Sequence, residues 1–409
     1  MSDAVQMNPP EADVTGELMI RRAKEMIPTL RKRADEAERL RTLPPETFRE
    51  FYEAGFFRIL QPRRFGGYEL GLPTFCEVMK NISRGCPSSG WVLCLTSAHT
   101  FHLGSFPEAG QVEVYGDTGD VRCPLIHTAT GVAIPVPGGY RISGRWNYNS
   151  GGEYATWVIL SAVVPGAGEG APPKDVLMVV IPRKEYEIVD NWHVMGMRGT
   201  GSKQAMVQDV FVPERRVLSQ RPWMLLGQAP GYGALADPFY STPPMGVFSS
   251  ELGSIFVGLA WAALDHFYER ATTKVSPFPP FNKLSEDRWA HRRVGLARAR
   301  VEVAEALLQR IIANQLDLAK RVQGGGVDYP GEYRLAVMRI QQMMRQVREC
   351  VEFLYDISGT SQTQTGQPLE RLYRDLSTIR TNFIVACEEQ SSENWGACFF
   401  GLKPYADHY

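Results

Sequence analysis

ISGRWNYNSGGEYATWVIL, residues 142–160, begins and ends like a β-strand, yet between Trp146 and Tyr154 it is filled with Asn, Ser and Gly. Two readings fit. Gly151-Gly152 marks a bulge or turn where backbones approach closely, or Asn149, Ser150 and Gly151 present amide, hydroxyl and bare backbone to a flat heterocycle. The surroundings have a period of two. VAIPVPGGYRIS (132–143) reads as a hairpin around Pro137-Gly138-Gly139, and VLMVVIP (176–182) and MVQDVFVP (206–213) read as further strands. PGAGEGAPPKD (165–175) is a surface loop between two of them.

On both sides of this β-region the pattern is helical. Upstream, RRAKEMIPTLRKRADEAERLR (21–41) is highly charged, and PPETFREFYEAGFFRIL (44–60) carries prolines at its start and Gly55 where a helix should stop. Downstream the helices are longer. One is expected to turn Val303, Ala304, Leu307, Leu308, Ile311 and Ile312 to one face, and a second Val337, Ile340, Met344, Val347, Val351 and Leu354. Gly324-Gly325-Gly326 should break the chain between them. Another helix begins at Pro368, with Leu369, Leu372, Tyr373, Leu376 and Ile379 inward, and 245–271 is apolar on nearly every side. These four segments predict an antiparallel bundle with 245–271 buried. The chain is therefore α+β, with units at 1–119 (helical), 120–225 (β) and 226–409 (bundle).

With 409 residues and 44% hydrophobic content, the chain can bury a large core. Lysine plus arginine (44) nearly balance aspartate plus glutamate (45), so no bulk charge draws it to nucleic acid or an anionic membrane. Seven cysteines, an odd number without a Cys-x-x-Cys pair, fit a reducing cytoplasm. The first residues, MSDAVQMNPPEADVTGEL, have acids and prolines where a secretory signal needs a basic and then an apolar run. The apolar 245–265 segment, interrupted by Glu251, reads as too short for a membrane span.

Several local patterns have ordinary explanations. Arg198-Gly199-Thr200-Gly201-Ser202-Lys203 lacks the spacing of a phosphate-binding loop. His99 and His102 are three apart, but no carboxylate or cysteine lies nearby in sequence, so no metal is expected; His99 is the better candidate for an active-site hydrogen bond. Ser150 has no nucleophile elbow. Trp146, Trp157 and Trp192 read as core, as does Met343-Met344. Glu302 and Glu305 read as solvated helix-face charges.

The order of units, with Arg63-Arg64-Phe65-Gly66-Gly67, Gly196-Met197-Arg198-Gly199-Thr200 before QDVFVP, and Pro368-Leu369-Glu370-Arg371-Leu372-Tyr373-Arg374-Asp375, resembles the acyl-CoA dehydrogenases across almost the whole chain. Those enzymes of the common type carry a proton-abstracting glutamate where this chain has Gly366, and glycine cannot be a base. A glutamate on a bundle helix, as in another branch, stays open. Gly90-Trp91 with His99, NYNSGGEYA (147–155) and EIVDNWHVMGMRGTGSK (187–203) are more similar to the oxygenase components of two-component flavin monooxygenases, typified by p-hydroxyphenylacetate hydroxylase. That resemblance implies reduced FAD or FMN from a separate NAD(P)H-flavin reductase, O2 as co-substrate, a C4a-hydroperoxide on the flavin and an aromatic substrate. It implies that Ser150 lies beside flavin N5, that Trp91, Asn149 and Gly151 line the ring, and that His99 lies in the substrate and oxygen pocket. Arg198, Gly359 and Gln362 are further cofactor candidates, the last two in a loop that reaches a neighbouring subunit of a tetramer. Where phenol hydroxylases carry two histidines, this chain has Ser377 and Asn382. A serine hydroxyl is no base near pH 7, so either His99 activates the substrate or the substrate needs no activation. The alternatives are a dehydrogenase or oxidase holding flavin permanently, and a catalytically silent ligand-binding scaffold.

Overall fold

The computed structural model describes residues 7–116, 118–168, 170–276, 279, 281–322 and 327–403. Its first helix, α1 (Gly16–Leu40), starts where the Thr15 hydroxyl accepts from Leu18 N–H and ends at Arg41 in the left-handed region. α2 (Pro45–Glu53) opens on proline and stops before Gly55, whose φ is 77°. Four helices follow: α3 (Gly71–Gly85), α4 (Pro87–Ser97), α5 (Thr100–Leu103) and α6 (Glu108–Tyr115).

The β-region is one seven-stranded sheet. Its strands are β1 (Leu125–Val136), β2 (Gly139–Asn149), β3 (Trp157–Val164), β4 (Asp175–Pro182), β5 (Glu187–Val189), β6 (Lys203–Pro213) and β7 (Val217–Ser219), in the order β5-β6-β2-β1-β3-β4-β7. The β1–β2 hairpin turns at Pro137-Gly138 as expected, with Val136 opposite Gly139. β1 and β3 run parallel, and their register shifts between Ile126 and Gly131. The Trp146 ring lies over this irregularity: a Cβ on Gly131 would lie 1.9 Å from its Cζ2. Buried Trp146 also donates from Nε1 to Ser161 O at 2.7 Å. Its core reading holds, because sheet distortion and indole fit each other.

Helices then return as α7 (Gln220–Leu226), α8 (Met245–Thr273), α9 (Arg288–Val322), α10 (Tyr329–Asp356), α11 (Pro368–Ile379), α12 (Phe383–Ala386) and α13 (Glu388–Phe399). α8 to α11 form the expected bundle. The inward stripe of α9 is Val301, Ala304, Leu308, Ile311 and Ile312. Val303 is exposed, contrary to the sequence reading, because Ala304 takes the inward position beside it. α8 runs 29 residues without interruption, also unlike the sequence reading, and is long and apolar enough to cross a membrane. It is instead the buried centre of the protein. The Gly324-Gly325-Gly326 break lies outside the described residues.

One hydrophobic core runs through both helical regions and takes in the β-face residues Ile159, Met178, Val180 and Leu218. A second, smaller core around Trp146, Leu160 and Val179 lies within the β-region. The two helical stretches, separated by the whole sheet in sequence, therefore share an interior.

Candidate active site

β2 ends at Asn149, and β3 begins at Trp157. Between them Gly151 sits at φ 71° and Gly152–Tyr154 make a single tight helical turn. The polar patch is thus a turn, as the first of the two sequence readings has it, and it also faces a cluster of polar side chains.

Ser150 is buried and lies in a run of hydrogen-bonding side chains. Trp91 Nε1 donates to Ser150 Oγ at 3.1 Å, Ser150 and Ser202 hydroxyls are 2.7 Å apart, Ser202 and Thr200 hydroxyls 2.6 Å apart, and Thr200 Oγ1 donates to Met197 O at 2.9 Å. Each hydroxyl has one proton. The assignment that satisfies every contact runs one way, from Trp91 through Ser150, Ser202 and Thr200 to the Met197 carbonyl. Ser150 then spends its proton on Ser202 and keeps one lone pair for a ligand. The neighbouring Asn149 amide is buried, with neither its nitrogen nor its oxygen in hydrogen-bond geometry with a protein partner. This amide, with the buried Tyr186 hydroxyl beside it and a serine lone pair next to it, fits the polar edge of a flavin ring.

Trp91 belongs to α4, which leads on to His99. His99 Nδ1 lies 2.9 Å from Cys123 O, which makes Nδ1 the donor and leaves Nε2 as an acceptor. Nε2 lies 3.8 Å from Glu251 Oε2, and His102 Nε2 lies 3.6 Å from Glu251 Oε1. His127 adds a third imidazole, its Nδ1 3.4 Å from Gln220 Nε2. Rings wall the group: Phe248 stacks on His102 at 4.3 Å and meets His127 edge-on at 4.6 Å, while Trp223 stands edge-on to His102 at 5.5 Å. Desolvation drives the His99 pKa down to about 3 and His127 to about 4, and holds His102 well below its ordinary value. The same burial pushes Glu251 up to about 8, so near neutral pH the cluster is uncharged.

Sequence reading expected no carboxylate near His99 and His102. The fold supplies one from α8, about 150 residues away, and the three groups could hold a metal ion by spacing alone. Glu251, His127, Ser202, Thr200 and Trp223 were all missed as site residues. In sequence Glu251 signals only as a lone acid inside an apolar helix.

Ser377 and Asn382 are not brought into either cluster. Ser377 Oγ donates to Tyr373 O one turn back at 2.8 Å, and Asn382 caps α12 by accepting from Ile384 N–H at 3.1 Å. Arg198 lines a surface cleft of about 840 Å³ together with Arg39, Arg41, His193 and Gly366. Gly359, at φ 78°, and Gln362, which donates to Gln367 Oε1 at 3.0 Å, lie in the α10–α11 connection. Trp192 is buried and donates to Met197 O at 3.2 Å, whereas Trp157 is half-buried with the Arg216 guanidinium over its ring at 5.7 Å.

Residues 19–109 match the model of the acyl-CoA dehydrogenase N-terminal domain and 251–386 that of the acyl-CoA dehydrogenase C-terminal domain. The chain is 33% identical to the flavin-dependent monooxygenase oxygenase subunit HsaA of Rhodococcus jostii, over 94% of this chain and 98% of that one. It is 28% identical to the p-hydroxyphenylacetate 3-hydroxylase oxygenase component of Acinetobacter baumannii, over 89% and 84%. Among solved structures it is similar to XiaF from Streptomyces sp. in complex with FADH2 and glycerol, with a TM-score of 0.85, 26% identity and 96% and 97% coverage. The fold, the paired domain matches and near-full-length identity agree: the chain belongs to the flavin-dependent monooxygenase oxygenase subunits of the acyl-CoA dehydrogenase superfamily.

Proposed function

We propose that this chain is the oxygenase component of a two-component monooxygenase, taking reduced FAD or FMN from a separate NAD(P)H-flavin reductase and placing one oxygen atom of O2 on a small or polycyclic aromatic substrate. The observation that carries the reading is the one-way hydroxyl run at Ser150. Bound reduced flavin supplies the two electrons that activate O2. The protein's part is to offer Ser150's remaining lone pair to an N–H donor, to orient the ring edge with the Asn149 amide and Gly151 backbone, and to exclude water with Trp91 and its neighbours. A reduced flavin carries the proton on N5 that such a lone pair needs, whereas an oxidised flavin presents an acceptor there.

Anaerobic titration of the flavin-free protein is the test. Reduced FMN or FAD should bind at least about tenfold tighter than the oxidised form, the worth of roughly one hydrogen bond. Equal or tighter binding of oxidised flavin would overturn the reading. Ser150→Ala should release more hydrogen peroxide per reduced flavin consumed and less product; unchanged coupling counts against Ser150.

The three units share the labour: 1–119 gives His99 and His102 and 226–409 gives Glu251 to the substrate side, 120–225 adds His127 and Trp223 there, and 120–225 together with Trp91 supplies the flavin wall. A homotetramer is supported by apolar side chains left exposed on α9 and at the end of α13, among them Trp289, Leu296, Phe399 and Phe400. In it the Gly359–Gln362 loop and Arg198 serve a cofactor's distal end. Five buried free cysteines support residence in a reducing cytoplasm.

A further inference from the structure

The His99–His102–Glu251 cluster holds more polar groups than the protein satisfies. Both Glu251 oxygens, both His102 ring nitrogens and His127 Nε2 are buried without a hydrogen-bond partner. Glu251 is 1% exposed, and the ion pairs among the described residues place no lysine or arginine against it. A buried polar group left without a partner destabilises the fold, so several in one place mark a position where something else completes the set.

The donor and acceptor inventory restricts what that is. His99 gives its Nδ1 proton to Cys123 O and so offers a lone pair at Nε2. A carboxyl buried without a counter-charge keeps its proton and offers an O–H. Acceptor and donor face one another across 3.8 Å, too far for a direct bond, while an oxygen set about 2.8 Å from each reaches both. A hydroxyl fits, since it accepts from Glu251 and donates to His99. An ether oxygen accepts but cannot donate. Phe248 stacks on His102 while Trp223 and Phe101 meet it edge-on, an apolar aromatic lining that suits an aromatic carrier of that hydroxyl.

We propose that Glu251 is the specificity-determining residue of the substrate site, its carboxyl group donating to the hydroxyl of a phenolic substrate whose own proton is shared with His99 Nε2, and with His102 as the second imidazole against Glu251. This rests on the reading of the chain as an aromatic monooxygenase. It moves phenol recognition from α11, where Ser377 is occupied by its own helix, to the central helix α8.

The test uses flavin-free full-length protein and two matched pairs of probes, phenol with anisole and 2-naphthol with 2-methoxynaphthalene, measured by calorimetry. The hydroxyl compound of at least one pair should bind at least about tenfold tighter than its methyl ether, one to two hydrogen bonds' worth. Glu251→Leu should reduce that ratio to about threefold or less. Glu251→Gln, whose amide still donates, should keep most of it, and a difference infrared spectrum should lose one protonated-carboxyl band. Equal affinities in the wild type, no binding of any probe, or a ratio unmoved in Glu251→Leu overturns the proposal. So does a stoichiometric divalent metal in the purified protein that Glu251→Gln loses. Reduced FMN binding to Glu251→Leu separates the two claims: if it persists while the phenol ratio never depended on Glu251, only this inference falls.

Discussion

At Ser150 the direction of one proton decides the chemistry on offer. Because Thr200 donates to the Met197 carbonyl, Ser202 must donate to Thr200, and Ser150 to Ser202. Removing Ser202 frees Ser150's proton. Ser202→Ala should therefore narrow the preference for reduced over oxidised flavin several-fold, mainly by improving oxidised-flavin binding, as anaerobic titrations of both forms would reveal. His99→Ala removes the acceptor and should impair product formation more than reduced-flavin binding; the opposite pattern in rapid-mixing experiments rejects its placement on the substrate side. Much of this was legible from residues alone. Ser150 and Asn149 stand out in sequence because polar and small residues interrupt a strand pattern, whereas Trp91, on helix α4, is picked out only by the family resemblance at Gly90-Trp91. Ser202 and Thr200 do not stand out, since a serine and a threonine in a Gly-rich loop look like turn formers.

Among the elements, α8 carries the most. It meets α3 where Gly258 lets the backbones approach: a Cβ there would lie 2.4 Å from Lys80 O and 2.6 Å from Ser83 Cβ. Gly258→Leu should push α8 from α3 and cost several kcal/mol, on the order of 2–4, read as a lowered midpoint in urea. Inward faces were legible for α10 and α11 because their apolar period is regular, and the burial of α8 because it is apolar on nearly every side. Val303 went astray because one apolar residue at the edge of a stripe is indistinguishable from a member of it. Glu251 was visible as a lone acid, but its partners come from α5 and the residue preceding it, and no local pattern carries a contact between residues about 150 apart.

For the whole molecule, the buried cluster should shape stability against pH in two opposed ways. Glu251 is raised to about 8 from an ordinary 4.5, so the folded state keeps a proton that the unfolded chain releases. Its contribution is fully present below about 4.5 and is lost as pH rises to about 8. The histidines are depressed, His99 to about 3 and His127 to about 4, so theirs is present above about 6.5 and is lost as pH falls through those values. Burial is what raises Glu251, and its charge in turn acts on the thiols of Cys76 on α3 and Cys94 on α4, while His102 on α5 is held down by burial and by His99 and His127. Chemical denaturation of Glu251→Gln should lose the wild type's decline between pH 5 and pH 9, a difference on the order of 1–3 kcal/mol; parallel pH profiles would mean that Glu251 is ionised in the folded protein.

The interior common to the first and last helical stretches also governs how the chain comes into being. During synthesis α3 and α4 leave the ribosome well over a hundred residues ahead of α8, against which they pack. For that interval a nascent apolar surface has no cover, so a chaperone holding the early segment should raise the yield of native enzyme, and a truncation before Met245 should aggregate rather than persist as a free domain.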